Sequence, residues 1–142
     1  MPRIKGEVVL KCTKERAYSE ISSIDFGDKM GLAFKSAQRG ILFQNERLIR
    51  TKTIIENVGT VDMERILIPE SFSIVSKRVP PMAPFSFFIG LQVFIDYEER
   101  TLLRWVEDFE MDTENQAKGK GMIIGLEKHE REQFQKIKDY FG

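Results

Sequence analysis

The feature that most constrains this chain is a run of strand-like segments closed by one helix. Residues 38–45, 47–57, 60–68, 72–79, 85–96 and 101–111 carry strand patterning in succession. Turn signals separate them: Asn45-Glu46, Asn57-Val58-Gly59, Pro69-Glu70-Ser71, Pro80-Pro81-Met82-Ala83-Pro84 and Asp96-Tyr97-Glu98-Glu99. Connections this short predict an antiparallel meander, because parallel neighbours need long crossovers. After Met111 comes a helical tail that ends Ile137-Lys138-Asp139-Tyr140-Phe141. One long helix can cover the concave face of such a sheet, and the space between them is either a packed core or a ligand cavity.

Upstream of the meander, residues 4–12 alternate. Ile4, Val8, Leu10 and Cys12 share one face, and Lys5, Glu7, Val9 and Lys11 the other. This is a further strand and brings the sheet to about seven. Thr13 stands where a helix N-cap would stand, with Ala17, Ile21 and Ile24 at helical spacing behind it. A helix of about three turns is expected there, then a second brief helix or turn over 28–34. Thr113-Glu114-Asn115-Gln116 has capping-box spacing for the last helix. Gly119, Gly121 and Gly125 each weaken that helix by roughly 1 kcal/mol relative to Ala, so a bend or a late start near Gly121 is expected. The fold class is α+β, in one domain over residues 1–142.

Charge and composition exclude several functions. Lys plus Arg and Asp plus Glu each number 22, so the basic footprint that selects phosphate backbones is missing and nucleic acid is not an expected partner. One cysteine, Cys12, cannot form an internal disulfide, and with one histidine, His129, no zinc site of Cys and His ligands can be assembled. No metal or other cofactor is implied. The amino terminus alternates charged and apolar residues, and no apolar segment reaches membrane-spanning length. A cytoplasmic protein without stable membrane insertion, monomeric or homodimeric, is expected.

Several polar groups fall on faces that should point inward. At 100° per residue the last helix aligns Ile123, Leu126, Phe134, Ile137 and Phe141, and Glu130 and Gln133 lie in the same stripe with His129 at its rim. An unpaired buried carboxylate is costly. Either Glu130 reaches solvent, or the helix lines a partly wet cavity. In the strand 60–68, Val61, Met63, Arg65 and Leu67 share a face; in 101–111, Leu103, Trp105, Glu107 and Phe109 do. Arg65 and Glu107 either pair inside a narrow core, lie exposed, or face a ligand. Phe85, Phe87, Phe88, Phe94 and Trp105 make the last two strands aromatic, which serves either as bulky core filler or as the wall for a flat apolar molecule.

This order of elements resembles the helix-grip fold of the START-like superfamily, also called SRPBCC, over nearly the whole chain. The polyketide cyclase and aromatase-like branch is similar in two places. Its strand ending in Ser-x-Arg before an Asp-Pro-containing turn resembles Met63-Glu64-Arg65-Ile66-Leu67-Ile68-Pro69-Glu70. Its Gly-Thr strand ending in His-Asp-Phe resembles Arg100-Thr101-Leu102-Leu103-Arg104-Trp105-Val106-Glu107-Asp108-Phe109. Met63, Arg100 and Glu107 stand where that branch has Ser, Gly and His. The resemblance implies a cavity for a hydrophobic small molecule (polyketide, lipid or quinone-like), with cyclase or aromatase activity in one version and simple carriage in another. In the catalytic version Arg65 orients or polarises a ligand carbonyl and Glu107 or Glu130 supplies an acid or base. Trp105, Phe87, Phe94, Phe109, Met63, Leu103, Leu126 and Gln133 would then contact the ligand. A chaperone-activator-like module, its cavity packed shut and its sheet binding a protein, is the remaining alternative.

Overall fold

Alternation of side chains sets β1 (Arg3–Leu10), after which the Thr13 hydroxyl caps α1 (Lys14–Ile21) by accepting the Arg16 amide at 3.2 Å. A single turn, α2 (Phe26–Lys29), follows. The meander comprises β2 (Ala37–Gln44), β3 (Leu48–Ile55), β4 (Gly59–Ile68), β5 (Ser73–Arg78), β6 (Phe85–Tyr97) and β7 (Arg100–Met111). The computed structural model describes residues 2–30, 37–55 and 59–142. The expected turn residues Asn57 and Val58 and the last part of the expected second helix, 31–34, lie outside them.

All seven strands form one antiparallel sheet in the order β1-β7-β6-β5-β4-β3-β2, so the first strand closes against the last. The expected α+β helix-grip architecture is present. Its helix begins differently from the expectation. Asp112, not Thr113, caps the turn after β7: its carboxylate accepts the Asn115 amide at 3.0 Å, and Thr113–Lys118 wind as a 3-10 turn. Gln116, expected to reach back in a capping box, instead donates its side-chain amide to the Met111 carbonyl at 2.8 Å. From there α3 (Gly119–Tyr140) runs 22 residues across the concave face. Among the described residues no helix is long and apolar enough to cross a membrane.

Two apolar clusters hold helix to sheet. One, at the α1 end, joins Leu10, Ile74, Phe94 and Leu103 to Phe134 and Ile137 of α3. The other, at the opposite end, joins Ile4, Phe85, Phe109 and Met111 to the half-buried Met122, Ile123 and Leu126. Each fully buried large apolar side chain contributes about 1.5–3 kcal/mol. On the convex side, Glu64 is flanked in register by Arg50 and Lys77 and forms ion pairs with both, which hold its carboxyl below the usual range.

Candidate functional site

The interval between the two clusters is hollow because two small residues occupy the floor of the sheet. Strand register places Arg65, Ser76, Gly90 and Glu107 in one row across β4, β5, β6 and β7. Ser76 and Gly90 put almost nothing above the backbone there. A Cβ built on Gly90 would lie 3.4 Å from Cγ of Glu107, so glycine leaves that carboxylate room on its open side. The result is a cavity of about 590 Å³ whose walls come from β4 to β7, the segment before β6, and α3.

Trp105 forms the end wall. Gly6 is its partner in β1, and the indole lies directly over it: an added Cβ would meet ring carbon Cζ2 at 2.3 Å. Only glycine lets the ring lie flat, and it then stacks on Phe134 of α3 at 3.5 Å between centroids and 5° between planes. Along the same strand Glu107 faces Glu130 of α3, and the two carboxyl groups are hydrogen-bonded to each other. Burial is the largest cause that pushes the Glu130 carboxyl up, followed by the charge of Glu107 and the hydrogen bond to it. Burial also raises Glu107, while the bond from Glu130 acts in the opposite sense. Two like charges this close in a desolvated site disfavour double ionisation, and the hydrogen bond between them raises Glu130 while it lowers Glu107, which favours Glu130 as the partner that keeps its proton.

Unsatisfied polar atoms concentrate here. Five buried side-chain polar atoms have no protein hydrogen-bond partner among the described residues, and four of them, Arg78 Nε, Gln92 Oε1, Trp105 Nε1 and Glu107 Oε2, belong to residues lining this cavity. Buried polar groups are nearly always paired. A wall with two orphan donors and two orphan acceptors is therefore equipped for a bound molecule that carries both.

Of the residues expected to contact a ligand, Met63, Trp105, Glu107, Leu126 and Glu130 line the cavity. Arg65 does not. It lies three strand spacings from Glu107, roughly 14 Å, too far to pair with it. Its guanidinium instead donates to the Ile21 carbonyl at the end of α1 at 2.6 Å, and burial brings its pKa down to about 10. Phe94 and Leu103 are buried in the cluster at the α1 end, Phe94 edge-on to Tyr18 at 5.4 Å. Phe109 is fully buried behind the cavity, against Phe85 and Phe88. Phe87 is 39% exposed on the convex side, because a β-bulge between Phe85 and Phe87 shifts the alternation and turns Phe88 inward in its place. Gln133 is half-buried on α3 outside the cavity wall. Sequence reading missed Ser76, Arg78, Gly90 and Gln92. Period-two projection of β5 (Ile74, Ser76, Arg78) and β6 (Phe88, Gly90, Gln92) is the signal that finds them.

No protein-family model matches the chain, and no curated protein matches it. Solved structures do. The helix-grip fold of this chain is the fold of polyketide aromatase/cyclases: Zhui aromatase/cyclase from Streptomyces sp. R1128 superposes with a TM-score of 0.80 at 13% identity, over 98% of this chain and 92% of that one. The di-domain aromatase/cyclase StfQ from the steffimycin biosynthetic pathway gives 0.78 at 12% identity, over 98% of this chain and 50% of that one. TTHA0849 from Thermus thermophilus gives 0.75 at 13% identity, over 97% and 95%.

Proposed function

We propose that this chain binds an apolar small molecule between sheet and helix, and that Glu130 and Glu107 serve it as acid and base. The observation that carries this reading is the cavity itself, apolar over most of its wall yet holding four orphan polar atoms. A module that binds proteins through its sheet has no use for such a void.

The polyketide version assigns each group a role in an intramolecular aldol closure. The Glu107 carboxylate takes a proton from the carbon between two carbonyls, and the resulting enolate attacks a second carbonyl carbon as Glu130 protonates that carbonyl's oxygen. One C–C bond forms as the C=O π bond breaks, and on loss of water Glu107 gives its proton to the departing hydroxyl while Glu130 takes the remaining α proton, which restores both groups. Trp105, Met63, Phe88 and Leu126 shape the wall against which the chain folds. Arg65 has no part in this step; its bond to Ile21 makes it a brace between β4 and α1.

Native mass spectrometry of protein purified from its own host is the deciding experiment. A retained apolar molecule that is lost from a cavity-filling Gly90→Phe variant is the expected result. Wild-type protein that is empty, and that also fails to bind polyketide, lipid and quinone probes in titration, would overturn the reading. For the chemistry, Glu107→Gln should retain the ligand and abolish turnover; unchanged turnover removes Glu107 from the mechanism and leaves a carrier.

A further inference from the structure

Arg78 is the unexplained group in this cavity. It follows Ser76 by two residues on β5, lines the chamber, and carries its guanidinium over the Phe85 ring at 5.7 Å. Its Nε is buried without a partner, and it forms no ion pair among the described residues. Burial lowers its pKa, and the charge of Asp62 offsets only part of that. A half-buried guanidinium whose Nε lacks a partner, and which has no ion pair among the described residues, can take up a carboxylate brought by a ligand. The other end of the chamber asks for the opposite. Gln92 Oε1 and Glu107 Oε2 are orphan acceptors, and their residues lie diagonally across β6 and β7, since Gly90 pairs with Glu107 and Gln92 with Trp105. These two acceptors, with the orphan Trp105 indole N–H beside them, suit a hydroxyl, which donates one hydrogen bond and can accept another.

From the register, Arg78 lies two strand spacings across and two residues along from Glu107, on the order of 12 Å between Cα atoms. Side chains reaching inward from both ends leave a span that suits a molecule of two or three fused rings. Phe85, Phe88 and Met122 supply the apolar surface between the poles. We infer that the ligand is a flat apolar carboxylic acid, its carboxylate held by Arg78 and a hydroxyl at its far end donating its one proton to Gln92 Oε1, beside Glu107. The inference rests on the cavity being a ligand site, and it deepens that reading by naming the chemical class and two residues, Arg78 and Gln92, that select it.

Isothermal titration with three probes tests it: a hydroxynaphthoic acid with its two groups at opposite ends of the ring system, the methyl ester of that acid, and the naphthoic acid that lacks the hydroxyl. At neutral pH the hydroxy acid should bind wild-type protein about tenfold more tightly than its ester, and several-fold more tightly than the acid without the hydroxyl. Arg78→Gln should erase the preference over the ester and leave the hydroxyl preference; Gln92→Leu should do the reverse. Equal binding of acid and ester by wild type overturns the inference and leaves the cavity reading standing. Failure of all three probes to bind overturns the inference, and the cavity reading falls with it only if the polyketide, lipid and quinone titrations are also blank. The wild-type comparison decides the matter even where a variant does not fold, and far-ultraviolet circular dichroism identifies that case.

Discussion

The two halves of the space under α3 are built from the same elements and differ in how they treat polar groups. At the α1 end, buried hydroxyls meet partners: the Thr101 hydroxyl donates to the Cys12 carbonyl at 2.8 Å, and the Tyr18 hydroxyl to the Ser73 carbonyl at 3.1 Å, while the orphan Trp105 Nε1 belongs to the ring that separates this cluster from the cavity. Around them Phe134, Ile137 and Phe141 are buried against the sheet. Toward the amino end of α3 the helix presents Met122 and Leu126 only half-buried, and the groups below them keep free donors and acceptors. A protein that can satisfy its polar atoms in one half and leaves them open in the other has placed its stability and its binding in separate places. Glu130 stands at the boundary.

The largest expected effect breaks that comparison at its packed side. Phe134→Ala removes the ring stacked on Trp105 inside a close-packed cluster and should cost about 3–5 kcal/mol. Leu126→Ala, eight residues earlier on the same stripe, enlarges a chamber that already exists and should cost under about 1 kcal/mol. Urea denaturation of both variants measures the contrast. Similar losses would mean that the amino end of α3 is packed as tightly as the carboxyl end.

Next in size is Gly6→Ala. The added methyl has to displace the indole, because the atom it meets is the middle of a stacked ring rather than the tip of a flexible chain. A loss of about 1–3 kcal/mol is expected. Trp105 is the chain's one tryptophan, so a change in its fluorescence on the same substitution reports the tilt of the cavity's end wall directly.

How much of this was legible in the sequence follows the same division. Strand alternation and short turns are local properties, and they gave the seven strands, the antiparallel pairing and the closing helix. The cap at Asp112 was missed because Thr113 offers an equally good capping oxygen, and the choice depends on where β7 stops. Within the site, Glu107 and Glu130 stood out as carboxylates on apolar stripes. Their mutual contact was not legible, since nothing in either segment states which residue of α3 lies over which residue of β7. Phe87 was misassigned because a bulge breaks the period-two rule without a local signal. Strand alternation left Arg65 to pair with Glu107, to lie exposed or to face a ligand, and its partner is instead the backbone carbonyl of Ile21, which no side-chain pattern can announce.

The boundary pair gives an intermediate effect with a definite sign. Burial and the neighbouring charge raise Glu130 above its unfolded value, so the native state binds more protons than the unfolded chain once pH exceeds the ordinary carboxylate range. This contribution is fully present below about pH 4.3 and is lost as pH rises through the raised native value, with a slope of up to about 1.4 kcal/mol per pH unit for one proton. Glu64 and Asp108, held down by ion pairs, act oppositely, and their contribution falls as the solution is acidified. Glu130→Gln keeps a donor to Glu107 at every pH and should flatten the alkaline limb while leaving the acid limb in place. Denaturation midpoints from pH 4 to pH 9 measure both limbs, and an unchanged alkaline slope in the variant would place the titrating group elsewhere.

The smallest expected effect on stability sharpens the comparison most. Gly90→Ala adds a methyl over the cavity floor, where its nearest neighbours are Glu107 Cγ at 3.4 Å and two backbone oxygens at 3.8 Å, all ordinary contacts. The backbone there needs no left-handed conformation, and alanine costs less chain entropy than glycine on folding, so the net change should stay within about 0.5 kcal/mol of zero. Ligand affinity has no such compensation, because the methyl occupies the space beside the Glu107 carboxylate that a bound hydroxyl would use. A variant that folds as well as wild type and binds the hydroxynaphthoic acid several-fold more weakly separates the two roles at one atom. Loss of stability with affinity intact would show that glycine at this position serves packing, and that the hollow half of the molecule is less free of structural duty than its unsatisfied polar wall implies.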